Sequence, residues 1–123
     1  MATALRRTVL VVEDEMLIRL LAADSLQESG FDVLEAANAA EALRILDEHD
    51  DVDVLFTDVN MPGPMDGIAL AGLMHHRRPE LGLVITSGLG APDLADLPAD
   101  SLYLAKPYLP HQLAAAVERQ TVH

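Results

Sequence analysis

Along this chain, short runs of β-branched and other apolar residues alternate with longer stretches in which apolar positions recur every three or four residues. The short runs are residues 8–12, 32–35, 52–57, 83–86 and 102–105, each of strand length. Between them, residues 15–29 set Ile18, Leu21, Ala22 and Ser25 on one helical stripe, and Gly30 stands where a helix C-cap belongs. Residues 39–49 bring Ala42, Ile45 and Leu46 together, and Asn38 and Glu41 have capping-box spacing at that start. Residues 67–76 form a weaker helix with Gly72 inside it. Residues 111–120 follow Pro110, a good first-turn residue, and put Leu113, Ala116 and Val117 on one face. In the stretch 88–100, Gly88, Gly90, Pro92 and Pro98 leave room for a turn or two around 93–97. Strands alternating with helices imply βαβ units and a parallel sheet covered on both faces. VLVV (9–12) and VDVLF (52–56) are the most continuously apolar runs and belong at its centre. No repeat, low-complexity segment or linker interrupts the pattern. One (βα)5 domain is expected over residues 1–123, with its core at about 8–119 and no output domain.

Half of the residues are hydrophobic, which excludes a disordered acidic tail, and only 3% are aromatic, so the core must be aliphatic. The absence of cysteine excludes a disulfide scaffold, an iron–sulfur cluster and a thiolate zinc site. Eight Lys+Arg against 20 Asp+Glu give a net charge of -12, which opposes nucleic acid or an anionic membrane as partner and favours a cation or a basic protein surface. No apolar stretch is long enough to span a membrane, and the N-terminal run that ends at Glu13 is too short for a signal peptide. A cytoplasmic location is expected.

In open parallel α/β sheets, ligands gather beyond the carboxyl ends of the strands. There the first run ends in Glu13-Asp14-Glu15, the third in Asp58, the fourth in Thr86-Ser87-Gly88 and the fifth in Lys106-Pro107. Crowded carboxylates raise one another's pKa or demand a cation. With oxygen donors alone, that cation is Mg²⁺, or Mn²⁺ as a substitute. Lys106 is the sole lysine, and its compact ammonium suits a carboxylate and an oxygen of a group attached to it. A hydroxyl at Ser87 or Thr86 can donate to another such oxygen; neighbouring strand residues face opposite ways, so only one of the two points into the site. These parts suit an aspartate that accepts a phosphoryl group. Taken alone, the acids at 13–15 read more readily as a solvated helix N-terminus, and joined to Asp58 and Lys106 they read as a site. His75-His76 reads as a solvated helix end, since adjacent helical residues diverge, and Met61 and Met65 read as packing.

An acidic pair after the first strand, Asp after the third, Ser/Thr after the fourth and Lys-Pro after the fifth resemble a two-component response-regulator receiver domain. The stretch Asp58-Val-Asn-Met-Pro-Gly-Pro-Met-Asp-Gly67 is similar to the family's D-x-x-M-P-x-M-D-G. The resemblance implies a flavodoxin-like doubly wound sheet of five parallel strands in the order 2-1-3-4-5, with a short or irregular fourth helix. It implies Asp58 as phospho-acceptor, and Asp14, Asp58 and the Asn60 backbone carbonyl as Mg²⁺ ligands, with Glu13 acting mostly through a metal-bound water. It further implies Ser87 as switch hydroxyl, Lys106 as phosphate-pairing cation, Tyr103 as a rotamer switch and a cis Lys106–Pro107 bond. Glu13 departs from the commoner Asp, and Pro64 reads as a one-residue insertion. Ile85-Thr86-Ser87-Gly88-Leu89-Gly90 resembles a subgroup with a Phe-Ala-Thr-Gly signature and a shortened fourth helix.

The function implied is a stand-alone phospho-accepting switch, not an enzyme. It takes its phosphoryl group from a histidine kinase or histidine phosphotransferase and signals by protein contact to a downstream target, as a monomer or weak homodimer. Two rivals stand beside it. One is a phosphorylation-independent interaction module of the same fold. The other is a phosphatase working through an aspartyl-phosphate, which wants an acid two residues after the nucleophile, where this chain has Asn60.

Overall fold

The computed structural model describes residues 6–88, 92 and 94–121. Five strands, β1 (Thr8–Val12), β2 (Asp32–Ala36), β3 (Val54–Asp58), β4 (Gly82–Ser87) and β5 (Leu102–Ala105), form one sheet in the order β2-β1-β3-β4-β5. Every pairing is parallel. Helices α1 (Met16–Glu28), α2 (Ala39–Glu48), α3 (Gly67–Arg77) and α4 (Pro110–Thr121) cover the two faces. This is the expected flavodoxin-like α/β architecture. Where the alternation calls for a helix between β4 and β5, the described residues form a three-residue 3-10 turn, Leu94–Asp96. Residues 89–91 and 93, which carry part of the Gly-rich sequence after Ser87, lie outside the described residues.

The strand pleat explains the two-sided core. Leu10, Val12, Leu55, Leu83 and Ile85 face α2 and α3, where they meet Ala42, Leu46, Leu70 and Met74. Val9, Val11, Val54, Phe56 and Val84 face the other way, toward Ala22 and Leu26 of α1 and Leu113 and Val117 of α4. Residues of alternate parity thus fill opposite layers, and β3, buried along its whole length, lies at the centre as its composition requires.

Local chemistry ends the helices where the sequence indicates. Asn38 Oδ1 accepts from Glu41 N–H at 2.9 Å at the start of α2, while Glu41 Oε1 reaches back to Ala37 N–H at 2.7 Å. Gly30 has φ +98°, and the bonds from Gly30 N–H to Gln27 O and from Phe31 N–H to Leu26 O close α1 in a Schellman turn. The stripe expected on α1 is corrected. Its buried residues are Ala22, Ala23 and Leu26, whereas Leu21 is 61% exposed. The helix is apolar on nearly every side, so periodicity could not choose its inward face. The two alanines let it lie close to the sheet, and Met16, Leu17, Leu20 and Leu21 are left at the surface.

Candidate functional site

The carboxyl ends of β1, β3, β4 and β5 bring the acids, the hydroxyls and the lysine to one edge of the sheet. Asp58 is the last residue of β3 and pairs in register with Thr86, while Ser87, the last residue of β4, pairs with Ala105 just before Lys106. Glu13 extends β1 by one residue, donating its N–H to Ala36 O of β2 at 3.0 Å. Carboxylate oxygens of Glu13, Asp14 and Asp58 all lie within 4.8 Å of one another. Glu13 and Asp58 are buried and Asp14 is exposed, so the cluster has two walls and an open side.

Lys106 joins the walls. Its Nζ donates to Asp58 Oδ2 at 2.8 Å and to Glu13 Oε2 at 3.1 Å. The remaining oxygens are held by backbone: Asn60 N–H donates to Asp58 Oδ1 at 3.1 Å, and Glu15 N–H to Glu13 Oε1 at 3.2 Å. Burial pushes the Glu13 carboxyl up to about 7, against the lowering effect of its bonds from Lys106 and Glu15 and with the help of the Asp58 charge. Burial alone would lower the Lys106 ammonium, but its two carboxylate partners leave it raised, so it stays charged. One ammonium therefore serves two buried carboxylates while a third stands at the rim. Three hard oxygen donors with surplus negative charge fit a small divalent cation such as Mg²⁺.

The two candidate hydroxyls occupy different surroundings. Ser87 Oγ accepts from Asn60 Nδ2 at 3.5 Å across the mouth of the site, and the Ser87 carbonyl accepts from Tyr103 Oη at 3.3 Å and Lys106 N–H at 3.1 Å. Thr86 is fully buried, and among the described residues its Oγ1 has no hydrogen-bond partner. Ser87 thus touches the site and its surroundings, and Thr86 belongs to the interior. The Lys106–Pro107 peptide is cis.

Three residues that position the site escaped sequence reasoning as individuals. Gly67 opens α3, whose N-cap Asp66 accepts from Ala69 N–H at 2.9 Å. A Cβ at Gly67 would stand 1.9 Å from the backbone oxygen of Asp58, so the helix can seat beside the acceptor only with glycine there. The Asp-Gly pair that closes the 58–67 motif was the available signal. Tyr108, two residues beyond Lys106, packs edge-on against Phe56, with ring centroids 5.9 Å apart at 77°. It anchors the segment that carries the lysine, and in a chain so poor in aromatic residues its rarity was the clue. Arg19 donates to the Glu13 carbonyl at 2.8 Å. Nothing in its own spacing announces this.

The family described as the response regulator receiver domain matches residues 9–118. The chain belongs to this receiver family. It is 39% identical over 115 residues to the sensor kinase CckA of Brucella abortus, covering 90% of this chain and 12% of that protein. It is 34% identical over 119 residues to the transcriptional regulatory protein PdtaR of Mycobacterium tuberculosis, covering 94% of this chain and 57% of that one. The crystal structure of a response regulator receiver protein from Sinorhizobium medicae superposes with a TM-score of 0.88 at 29% identity, covering 94% of both chains. The chain thus spans from about an eighth to little more than half of these curated relatives. Membership is consistent with phospho-accepting two-component signalling, and no helix among the described residues is long and apolar enough to cross a membrane.

Proposed function

We propose that this receiver domain accepts a phosphoryl group on Asp58 from a phosphohistidine of a histidine kinase or phosphotransferase, in the presence of Mg²⁺, and signals by protein contact. The observation that carries this reading is the Lys106 ammonium set 2.8 Å from Asp58 Oδ2 and shared with Glu13, inside a cluster of three carboxylates. In the transfer, a carboxylate oxygen of Asp58 attacks phosphorus, the P–N bond to the donor imidazole breaks, and the imidazole nitrogen recovers a proton from solvent. Lys106 pairs with the charge that gathers on the phosphoryl oxygens. Ser87 donates its hydroxyl to one of those oxygens, and the Asn60 N–H keeps the carboxylate oriented. Glu13, Asp14, Asp58 and the Asn60 carbonyl would hold Mg²⁺, which neutralises phosphoryl charge when bound. Asn60 offers no general acid two residues beyond Asp58, so the domain turns over no phosphomonoester.

The donor must be brought over the strand ends, so its surface has to cover the rim of the site. Met16, Leu17, Leu20 and Leu21 on the first turns of α1, with Leu109 beyond Lys106, are 43% to 68% exposed there. Of these, Leu21 lines a groove of about 770 Å³ that runs from Ile18 and Ala22 to Pro107 and Tyr108. An apolar face of this kind beside an acidic site suits the histidine-bearing partner.

Incubation with a small acyl phosphate, with and without Mg²⁺, tests the reading by intact mass. One alkali-labile phosphoryl group is expected on the wild type in Mg²⁺ and none on Asp58→Asn. Label retained in Asp58→Asn would move the acceptor elsewhere, and no label in either protein would favour a phosphorylation-independent interaction module.

A further inference from the structure

We infer that Arg19 is the positioning residue of the acidic loop: from inside α1 it fixes the Glu13 peptide and so sets the aim of the Glu13 and Asp14 carboxylates. The part of this inference that concerns the cation rests on the function proposed above. Ala22, Ala23 and Leu26 form the buried stripe of α1, and position 19 continues that stripe toward the N-terminus at helical spacing. The pattern calls for an apolar residue there, yet the chain carries an arginine whose side chain is only 17% exposed. Burying a guanidinium is costly unless its donors are met. Two of those donors have partners on neighbouring elements. Arg19 Nε pairs with Glu35 Oε1 on β2 at 3.2 Å, and an Nη donates to the main-chain carbonyl of Glu13 at 2.8 Å.

The second bond falls where the sheet stops. The Glu13 N–H still joins the β1–β2 ladder through Ala36 O, but the Glu13 carbonyl lies beyond the strand's last residue. Arg19 takes that carbonyl, so the peptides on both sides of Glu13 are pinned, one by β2 and the other by α1. Glu15 N–H then closes on Glu13 Oε1 at 3.2 Å. The dihedral angles between these fixed points decide where the carboxylates of residues 13 and 14 lie. Glu35, next to Ala36 on the same strand, neutralises the guanidinium, so that the loop is held without an uncompensated cation behind an acidic site.

The inference separates Arg19 from an ordinary structural arginine by what its loss changes. Outer partners of metal ligands typically tune affinity, and Arg19→Ala should weaken Mg²⁺ binding, followed by chemical-shift titration, roughly tenfold. Arg19→Lys retains a donor for the carbonyl and should recover most of this, ending within about threefold of wild type. Leu26→Ala, on the same stripe but away from the loop, should lower stability and leave Mg²⁺ affinity unchanged. In EDTA, amide exchange at Asp14 and Glu15 should speed up in Arg19→Ala beyond any global loosening and remain native in Leu26→Ala. Mg²⁺ affinity of Arg19→Ala within twofold of wild type, or an equal loss in Leu26→Ala, would overturn the inference. A wild type that binds no Mg²⁺ would instead sink the functional reading. In that case the exchange at residues 14 and 15 decides the positioning role, and unchanged exchange in Arg19→Ala would refute it.

Discussion

Glu13 should make the metal-free protein less stable as pH rises through neutrality, and Glu13→Gln should remove that dependence. The carboxyl is buried beside Asp58 and shares a single ammonium with it, and its pKa stands at about 7 against an ordinary 4.5. The folded state therefore holds a proton that the unfolded chain releases, and between these two values the native protein binds more protons. Stability then falls with rising pH: the contribution is complete below about 4.5 and is lost as pH climbs through 7. The gap from 4.5 to about 7 corresponds to a penalty of about 3 kcal/mol for the ionised form. Glutamine keeps the shape and an oxygen for the Glu15 N–H, carries no charge, and leaves Lys106 to Asp58. Urea denaturation in EDTA, followed by circular dichroism from pH 5 to 8, should find the two proteins close at pH 5 and the variant ahead by about 2 kcal/mol at pH 8. At pH 8 a divalent cation should take the place of the proton in the wild type. Mg²⁺ at ten times its Kd should add about 1.4 kcal/mol, with a smaller gain near pH 5.5, where the proton competes. A wild-type minus variant difference constant over this range, or one that moves in favour of the wild type as pH rises, would refute the reasoning.

Other residues give sharper yes-or-no tests. Gly67→Ala places a Cβ 1.9 Å from the Asp58 carbonyl, and should destabilise the fold by about 3 kcal/mol in the same urea assay; a loss under about 0.5 kcal/mol would mean that α3 can retreat without cost. Thr86→Val replaces a buried hydroxyl that lacks a partner among the described residues and should stabilise by about 1 kcal/mol with phosphoryl acceptance intact. Ser87→Ala should also accept phosphate on Asp58, yet lose the response of Tyr103 and its neighbours to beryllofluoride in amide chemical shifts. The reverse assignment, with Thr86→Val silencing that response, would make Thr86 the switch hydroxyl.

The fold and the chemical outline of the site were legible because both depend on local pattern plus one topological rule. Apolar runs of strand length, separated by helical periods, give a parallel sheet, and the residues after each strand must then meet at one edge. Even the shortness of the helical segment between β4 and β5 was visible, in Gly88, Gly90, Pro92 and Pro98. What stayed hidden needs contacts across the fold. The inward face of α1 was misjudged because leucines surround that helix, and only its fit against β2 selects Ala22, Ala23 and Leu26. The role of Arg19 depends on Glu35, which β2 brings to it from sixteen positions away. Gly67 mattered only once the loop from Asp58 had turned back on its own starting strand.

The electrostatic balance of the site was half visible. A sole lysine among many acids could be read from the sequence, but not that it would bridge two buried carboxylates at 2.8 and 3.1 Å. That bridge cannot neutralise the cluster. One positive charge faces Glu13, Asp58 and the exposed Asp14, so the site either keeps a proton on Glu13 near neutrality or gains a cation. The same surplus explains why phosphoryl transfer to Asp58 would need Mg²⁺. A phosphoryl group adds further negative charge to a place where the only ammonium is already shared. Lys106 could turn fully to the phosphoryl oxygens only if Glu13 were satisfied by another positive partner. The acidic loop and the lysine are therefore one coupled unit, and a loss of Mg²⁺ binding should cost Asp58 its acceptance of phosphate even with Lys106 in place.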